Sequence, residues 1–439
     1  MQARAGAERL RVAYLVYRGN PRCGGQGVYS RHLTRELVRL GHEVTVFSGP
    51  PYPDLDEGVA FVPVPSLDLY REPDPFRVPR PSEFTSSIDL LEFGLMCTAG
   101  FPEPRTFTLR ARRLLAGRRG DFDLVHDNQS LGSGLVGMMK DGWPLIATIH
   151  HPITVDRELD LAHATTFRRR LTLRRWYGFI NMQTRVARQV PRVITVSESS
   201  RGDIADQLGV ELSRMSVVPV GVDESVFRPR PEVARVRGRI MTTASADVPM
   251  KGLVPLLEAL AKVRTERDDA HLVVIGRLKE GSRVPEVLER LALGDAVRFV
   301  TGISDDELAG WYGSAELAIV PSLYEGFSLP AIEAMSCGVP LVATTGGALP
   351  EVVGPDGESA LLVEPNDPGA LAVAMLRALG DPELRARLGA AGRRRTIERF
   401  TWPVTARDTA EQYYRLLDEQ GTAVPPPTSP ERVPAVPAC

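Results

Sequence analysis

The chain has 439 residues and a formal net charge of −2. Its length suits two domains of roughly 200 residues, each large enough to bury its own hydrophobic core. The near-neutral charge argues against a nucleic-acid partner. The four cysteines lie far apart and form no C-x-x-C pair, which argues against a disulfide framework or a zinc site and fits a reducing cytoplasm; they are Cys23, Cys97, Cys337 and Cys439.

The first half of the chain predicts one Rossmann-like domain, residues 1–222. An apolar strand over Leu10–Tyr17 is followed by glycines that open a helix from about Val28 to Leu40, and a second strand covers Val44–Phe47. This is a β-α-β unit of the doubly wound kind. Further short apolar runs predict strands at Leu124–His126, Leu145–Thr148 and Val193–Val196.

A stretch rich in proline and arginine, Phe227–Pro231, predicts the linker to a second domain. Strands are then expected at Ile240–Thr243, Leu272–Ile275, Val297–Val300, Leu317–Val320 and Leu341–Thr344. The alternation of these strands with helical segments predicts a second Rossmann-like domain over residues 223–402. The chain is therefore predicted to be α/β, with two doubly wound domains. A helix over residues 403–420 follows, and the Pro-rich tail, residues 421–439, has too little apolar surface to fold.

The glycine turn Gly24–Gly27 can be interpreted as a turn that needs only tight geometry or as part of a ligand-binding motif. It approximates the dinucleotide fingerprint of dehydrogenases. However, Ser30 stands at the third glycine position, and the second strand ends at Ser48-Gly49 without an acidic residue for the NAD ribose. The dehydrogenase interpretation is therefore weak.

The most informative stretch is Glu325–Glu333, where two carboxylates flank a glycine-bearing turn that opens a helix. The turn follows a predicted strand, so it lies where open α/β sheets bind ligands. The backbone N–H groups near Phe327, Ser328 and Leu329 can receive an anion such as a diphosphate. Two carboxylates that bind different hydroxyl groups would hold a sugar at one end and a ribose at the other. An ordinary strand-to-helix turn with solvated glutamates is the alternative.

The run PSLYEGFSLPAIEAMSCGVPLVATTGGALPEVVG, residues 321–354, closely resembles the signature of the retaining glycosyltransferases of family 4. The resemblance implies the GT-B fold, in which two Rossmann-like domains face a central cleft and the last helix crosses back to the first. It also implies that Glu325 contacts the donor sugar and Glu333 the ribose. By the same resemblance, Gly25 approaches the donor diphosphate and Gly24 shapes the turn.

Lys251, before a predicted helix, matches the lysine of this family. An ammonium group there would neutralise the charge that grows on a departing nucleoside diphosphate. The chain departs from the family pattern at Ala246, where an arginine usually stands five residues before the lysine. Arg277, after the strand that ends near Ile275, is a candidate replacement, although a solvated surface arginine is the simpler interpretation.

His150 and His151 follow the predicted strand Leu145–Thr148. Members of the resembled family commonly place a histidine here, near the donor sugar or the acceptor. The alignment favours His150, with His151 as the second choice. A purely structural histidine pair stays open. The predicted catalytic residues are thus His150, Lys251 and Glu325.

No cofactor and no metal are predicted. Asp121-Phe122-Asp123 imitates the Asp-x-Asp of metal-dependent glycosyltransferases, but it leads directly into a strand and is typical of a helix-to-strand junction. The resembled family works without a bound metal, using helix N-termini and the lysine instead.

Two arginine-rich stretches predict helices, Arg105–Arg119 and Phe167–Trp176. The second interleaves apolar residues with arginine, as helices on anionic lipid do, whereas a simply exposed basic helix is the alternative. The amino terminus is polar, and no run of 18 apolar residues follows. The expected location is therefore the cytoplasm, with peripheral contact at the inner membrane surface left open.

The resemblance predicts a retaining glycosyltransferase that moves a sugar from a nucleotide-diphosphate sugar to an acceptor hydroxyl by front-face attack. The acceptor, whether a small molecule, a glycan or a lipid, is not visible in the sequence, and neither is the donor base or sugar. A sugar-nucleotide epimerase, a phosphorylase and a noncatalytic sugar-nucleotide-binding relative are alternatives, because one fold carries many functions.

Overall fold

The computed structural model describes residues 9–20, 25–71, 73–164, 166–244, 248–278 and 282–421. Gly24, Ala246, Cys23, Cys439 and the tail from residue 422 lie outside the described residues. The described chain forms two compact units. One contains residues up to 148, 153–193 and those from 409, and the other contains 149–152 and 194–408.

The first sheet has seven strands in the order β3-β2-β1-β4-β5-β6-β7. They are β1 (Arg11–Val16), β2 (Glu43–Ser48), β3 (Ala60–Pro63), β4 (Leu124–Asn128), β5 (Leu145–Thr148), β6 (Arg192–Thr195) and β7 (Met215–Val217). The pairs β2-β3, β1-β2, β1-β4 and β4-β5 are parallel. The strand order reverses between β1 and β4, as in a Rossmann sheet.

Eight helices belong to this half of the described chain. They are α1 (Gly25–Arg39), α2 (Ser87–Cys97), α3 (Glu103–Leu115), α4 (Gly134–Lys140), α5 (Thr154–His163), α6 (Phe167–Trp176), α7 (Ile180–Ala187) and α8 (Glu198–Leu208). α1 starts three residues earlier than expected. α3 ends before the predicted Arg119 because Gly117 takes a left-handed conformation, with φ +78°.

The second sheet has six strands in the order β10-β9-β8-β11-β12-β13, and every neighbouring pair is parallel. Its strands are β8 (Arg239–Thr243), β9 (His271–Ile275), β10 (Val297–Val300), β11 (Leu317–Val320), β12 (Leu341–Thr344) and β13 (Leu361–Val363). The helices of this half are α9 (Leu253–Arg264), α10 (Val284–Arg290), α11 (Asp305–Ser314), α12 (Leu329–Ser336), α13 (Leu349–Val353), α14 (Pro368–Gly380), α15 (Pro382–Arg399) and α16 (Trp402–Glu419).

Both faces of the second sheet are buried. Alternate residues of one strand enter separate hydrophobic clusters, because successive side chains of a strand point to opposite faces. In β11, Leu317 and Ile319 join the cluster that contains α9 and α14, while Ala318 and Val320 join the cluster that contains α12 and α13. A parallel sheet covered by helices on both sides explains why its strands are continuous apolar runs.

The predicted fold class is confirmed: the chain is α/β, with two parallel, doubly wound sheets. The last helix, α16, starts at Trp402, one residue before the predicted start. Its Tyr413 hydroxyl lies 2.6 Å from His126 Nδ1 in the central strand β4, within the first compact unit. In the part of the chain that the structure describes, no helix is long and apolar enough to cross a bilayer.

Candidate active site

Two loops that carry predicted site residues leave the second sheet at its topological switch point. β8 and β11 are neighbours, but the chain continues from β8 to β9 on one side and from β11 to β12 on the other. Open α/β sheets bind ligands at such a point, beyond the carboxyl ends of the strands. Lys251 follows β8 and Glu325 follows β11, so both lie where a ligand is expected.

Lys251 and Glu325 form an ion pair with two contacts. Lys251 Nζ lies 2.8 Å from Glu325 Oε1 and 3.0 Å from Oε2. The Ser322 hydroxyl also donates to Oε1, at 2.6 Å. The Glu325 side chain is 11% exposed and the Lys251 side chain 35% exposed, so the pair borders solvent. An ammonium group has three N–H donors, and the third remains for another acceptor.

Two glycines set the approach of these loops. Gly252 has φ +66°, and a Cβ atom there would lie 1.9 Å from the Pro321 carbonyl oxygen. Only glycine therefore lets the turn before α9 pack on the loop after β11. Gly347 has φ +62°, and its Cβ atom would lie 2.3 Å from the Glu325 carbonyl oxygen. That carbonyl accepts a hydrogen bond from Ala348 N–H at 2.8 Å, which fixes the backbone of Glu325.

The start of α12 offers donors to a ligand. Ser328 occupies the N-cap, yet its side chain makes no capping hydrogen bond. Its Oγ atom is buried and has no hydrogen-bond partner among the described residues. The first N–H groups of a helix, here those of Leu329 and Ala331 because Pro330 has none, also lack intrahelical acceptors and lie at the positive end of the helix dipole. This arrangement suits an anion such as a diphosphate.

The side chain of Phe327, a residue predicted to bind the ligand together with Ser328 and Leu329, contacts another aromatic ring. Its ring packs against Phe400, with centroids 5.8 Å apart, at the edge of a hydrophobic cluster. The Phe327 ring is thus partly buried against the protein, and its backbone precedes the start of α12.

Glu333 lies within α12, and its side chain is partly buried. Burial, with a smaller effect from the negative charge of Asp305, raises the pKa of Glu333 to about 7. The Tyr312 hydroxyl donates to Glu333 Oε2 at 3.3 Å and favours the ionised form. Glu333 is therefore partly ionised near neutral pH, and its ionised form can accept hydrogen bonds from ligand hydroxyls.

His150 adjoins the loop that carries Glu325, in the same compact unit. A Cβ atom at Gly326 would lie 3.5 Å from His151 Cβ and 3.7 Å from the His150 carbonyl oxygen. Burial, with a contribution from His151, lowers the pKa of His150 to about 3. The His150 imidazole is therefore neutral at physiological pH, so it can exchange hydrogen bonds with a ligand but cannot supply a positive charge.

Helix α8 also holds the loop of Glu325. The hydroxyls of Ser197 and Ser200 donate to the Gly326 carbonyl oxygen at 2.6 and 3.0 Å. Glu351 accepts hydrogen bonds from the first backbone N–H groups of α8, those of Glu198 and Ser199, at 2.7 and 2.8 Å. Sequence reasoning missed these contacts, because hydroxyls at a helix start most often cap their own helix.

The remaining predicted residues are less constrained. Gly25 is the first residue of α1. This helix start is tied to the end of β4, since Asn128 Nδ2 donates to Ser30 Oγ at 3.0 Å, which gives Ser30 a structural role at the position where the dinucleotide fingerprint has glycine. Arg277 is exposed just beyond β9. β9 is parallel to β8, so Arg277 and the Lys251 loop leave the same edge of the sheet.

The Asp-x-Asp segment is engaged with arginines. Asp123 pairs with Arg11 at 2.7 Å, and Asp121 pairs with Arg118 at 2.7 Å. Both carboxylates thus contact arginines at the junction before β4. Within the described residues, no group of three or more His, Cys, Asp or Glu side chains is placed to hold a metal ion.

Comparisons with known proteins decide the family. A model of Glycosyltransferase Family 4 matches residues 23–226, and one of Glycosyl transferases group 1 matches residues 229–395. The chain is 54% identical over 409 residues to an MMP α-(1→4)-mannosyltransferase of Mycolicibacterium hassiacum, covering 93% of this chain and 98% of that protein. The chain belongs to glycosyltransferase family 4. It is 31% identical over 432 residues to D-inositol 3-phosphate glycosyltransferase 2 of Catenulispora acidiphila, covering 91% and 92% of the two chains.

Solved structures of other glycosyltransferases share the fold of this family 4 member. Sucrose-phosphate synthase of Thermosynechococcus elongatus has a TM-score of 0.69 and 23% identity, covering 94% of this chain and all of that one. Anabaena HepE, in complex with UDP and glucose, has a TM-score of 0.67 and 17% identity, covering 92% of this chain and all of that one. The predicted GT-B fold and the predicted glycosyltransferase activity are confirmed.

The family 4 site has the chemical means for sugar transfer from a diphosphate. The start of α12 and the Lys251 ammonium provide positive potential, and the carboxylates of Glu325 and Glu333 accept hydrogen bonds from hydroxyl groups. All of these groups lie in the second compact unit, on the loops and helix next to β8 and β11. The individual roles of Glu325, Glu333, Lys251 and His150 remain predictions.

Proposed function

We propose that this glycosyltransferase transfers a mannosyl unit from a nucleotide-diphosphate mannose to a hydroxyl group of a sugar acceptor, with retention at the anomeric carbon. The observation that carries the proposal is the Lys251–Glu325 ion pair at the switch point, with Glu325 on a loop that leads to the buried Ser328 hydroxyl, which has no hydrogen-bond partner within the described part of the chain. The mannosyl unit is inferred from the 54% identity to the M. hassiacum mannosyltransferase.

In the proposed reaction, the acceptor hydroxyl attacks the anomeric carbon on the face from which the diphosphate leaves. The bond between the acceptor oxygen and the anomeric carbon forms as the bond from that carbon to the phosphate oxygen breaks, and the acceptor proton passes to the leaving phosphate. Positioning and charge stabilisation supply the rate enhancement. Lys251 and the α12 start stabilise the charge on the diphosphate, Glu325 orients the donor sugar and Glu333 binds the ribose.

His150 takes a positioning role in this proposal. As a neutral imidazole it can bind a donor-sugar hydroxyl or the acceptor, next to the Gly326 backbone. It carries no charge that would compete with Lys251 for the diphosphate.

A thermal-shift screen tests the donor. We expect GDP-mannose, UDP-mannose or ADP-mannose, at about 100 times its dissociation constant, to stabilise the folded protein by about 2.7 kcal/mol. Glucose nucleotides of the same bases are the matched controls for the sugar. Stabilisation by all mannose and glucose nucleotides alike would contradict mannose selectivity. Turnover of the bound nucleotide sugar only in the presence of orthophosphate would indicate a phosphorylase. Isomerisation of the sugar without transfer would indicate an epimerase.

Metal independence is also part of the proposal. It is supported by the positive groups that the site already provides, namely Lys251 and the start of α12. We expect transfer to continue at an unchanged rate in excess EDTA, measured as nucleoside diphosphate released in the presence of acceptor. The same assay after gel filtration into metal-free buffer, with and without added Mg²⁺, is the control. Loss of activity in EDTA that Mg²⁺ restores would contradict this part of the proposal.

We infer a cytoplasmic location from the two described cysteines, Cys97 and Cys337, which are both free thiols. A peripheral contact with a membrane surface would use α6. α6 presents Phe167, 81% exposed, and Leu171, 58% exposed, among its arginines. These two residues are four positions apart and so lie on the same side of the helix.

A further inference from the structure

A buried tyrosine connects Glu333 to the end of β8. Tyr312, in α11, is 1% exposed. Its hydroxyl lies 3.1 Å from Thr243 Oγ1, 3.3 Å from Glu333 Oε2 and 3.3 Å from the Pro330 carbonyl oxygen. The three partners belong to two elements that border the candidate site, the last residue of β8 and the first turns of α12.

When Glu333 is ionised, the hydrogen-bonding groups of this cluster indicate which atom donates to which. A phenol has one hydrogen, and both the carboxylate and the peptide carbonyl can only accept it. Both acceptors lie at 3.3 Å, beyond the usual 2.5–3.0 Å of an O–H···O bond, so the hydrogen is shared between them. A charged acceptor forms the stronger bond, so ionised Glu333 draws the hydrogen to itself. The Thr243 hydroxyl is then free to donate to the phenol oxygen.

We propose that Tyr312 is a positioning residue for nucleotide binding, which holds Oε2 of Glu333 so that the remaining lone pairs of the carboxylate face the vicinal hydroxyls of the nucleotide ribose. This inference rests on the proposed function, in which Glu333 binds the ribose. Tyr312 itself does not touch the ligand. The Thr243 hydroxyl orients the phenol from the other side, so a chain of hydrogen bonds connects Thr243 through Tyr312 to Glu333.

The proposal has a consequence for pH. The titratable groups around Glu333 are Asp305 and Tyr312 from α11 and Cys337, which directly follows α12. Burial and Asp305 favour protonated Glu333, while the bond from Tyr312 favours the carboxylate, and the pKa is about 7. Ribose binding by the carboxylate should therefore strengthen as pH rises through 7. Removal of the phenol hydroxyl raises the pKa of Glu333 further, so the same rise should occur at higher pH.

The experiment is titration calorimetry of the wild-type protein with GDP-mannose, UDP-mannose and ADP-mannose. The nucleotide sugar that binds is then used to measure the variants. Tyr312→Phe should raise the dissociation constant of that nucleotide sugar on the order of tenfold, as loss of a hydrogen bond to a charged group does. The midpoint of the pH dependence should move upward, while kcat changes less than about twofold because the chemical groups are intact. Thr243→Val, which keeps the side-chain shape, should give a smaller loss in the same direction.

A double-mutant cycle separates positioning from general destabilisation. In the Glu333→Gln background, Tyr312→Phe should cost less than about twofold, because the carboxylate that it positions is gone. Tyr413→Phe, which removes a different buried tyrosine hydroxyl, is the matched control and should leave nucleotide affinity unchanged. Full additivity of Tyr312→Phe and Glu333→Gln, or an unshifted pH midpoint, would overturn the positioning role. Failure of the wild-type protein to bind any of the nucleotide sugars would instead remove the proposed function, and this inference with it.

Discussion

Replacing Lys251 with alanine should lower kcat for sugar transfer by on the order of 10²-fold, as removal of one preorganised charge donor typically does. Lys251 is the cation that the structure places against Glu325 at the switch point. In the proposed reaction it neutralises the charge that grows on the leaving diphosphate. The affinity for the free nucleoside diphosphate should fall too, because that product carries the same charge. Initial-rate kinetics and calorimetry with the nucleoside diphosphate measure the two effects.

The substitution also leaves the largely buried Glu325 carboxylate with Ser322 as its remaining side-chain partner. We therefore expect a lower melting temperature, because a buried charge that loses its partner destabilises the folded state. Activity is compared at a temperature where the variant is fully folded. Lys262→Ala, an exposed lysine in the last turn of α9, is the matched control and should behave as wild type. Wild-type kcat in folded Lys251→Ala would remove Lys251 from the mechanism.

The arrangement of the second sheet was predictable because its strands are short, continuous apolar runs. Burial on both faces removes the polar alternation of a half-exposed strand, so β11 and β12 are visible in the sequence with the bounds that the structure shows. Three strands were missed: β3 and β7 at the two ends of the first sheet and β13 at one end of the second, whereas β10 at its other end was predicted with its bounds. β3 and β13 are only four and three residues long and have partly exposed side chains, so their apolar runs give a weak strand signal.

The contacts that complete the site could not be predicted. Lys251 and Glu325 are 74 positions apart, and nothing in either segment indicates that the two side chains meet. Their approach depends on the neighbouring places of β8 and β11 in the sheet and on Gly252, whose missing side chain makes room for the Pro321 carbonyl. Tyr312 is a further example, because a buried aromatic residue in a helix usually belongs to the core and gives no sign of the hydroxyl group's partners.

Replacing Glu325 with glutamine should change the affinity for the free nucleoside diphosphate in the direction opposite to that of Lys251→Ala. The change keeps the shape of the side chain and an acceptor for the Ser322 hydroxyl, but it removes the negative charge beside Lys251. The Lys251 ammonium then acts on the diphosphate without a competing carboxylate. We expect affinity for the free nucleoside diphosphate to rise, in contrast to its fall in Lys251→Ala.

Transfer should nevertheless decline, with kcat lower by about 10²-fold, because Glu325 no longer orients the donor sugar for attack. Glu333→Gln provides the comparison. Loss of a carboxylate that binds the ribose should weaken the binding of the nucleoside diphosphate and of the nucleotide sugar equally, because both contain the ribose. Calorimetry with both ligands and initial rates with the nucleotide sugar distinguish these outcomes. Weaker nucleoside diphosphate binding in Glu325→Gln, with an unchanged kcat, would show that Glu325 maintains the site without acting on the sugar. In the proposed reaction the opposite signs are expected because Glu325 pairs with Lys251 in the absence of ligand. With donor bound, Glu325 would orient the sugar, and the Lys251 ammonium would pair with the diphosphate.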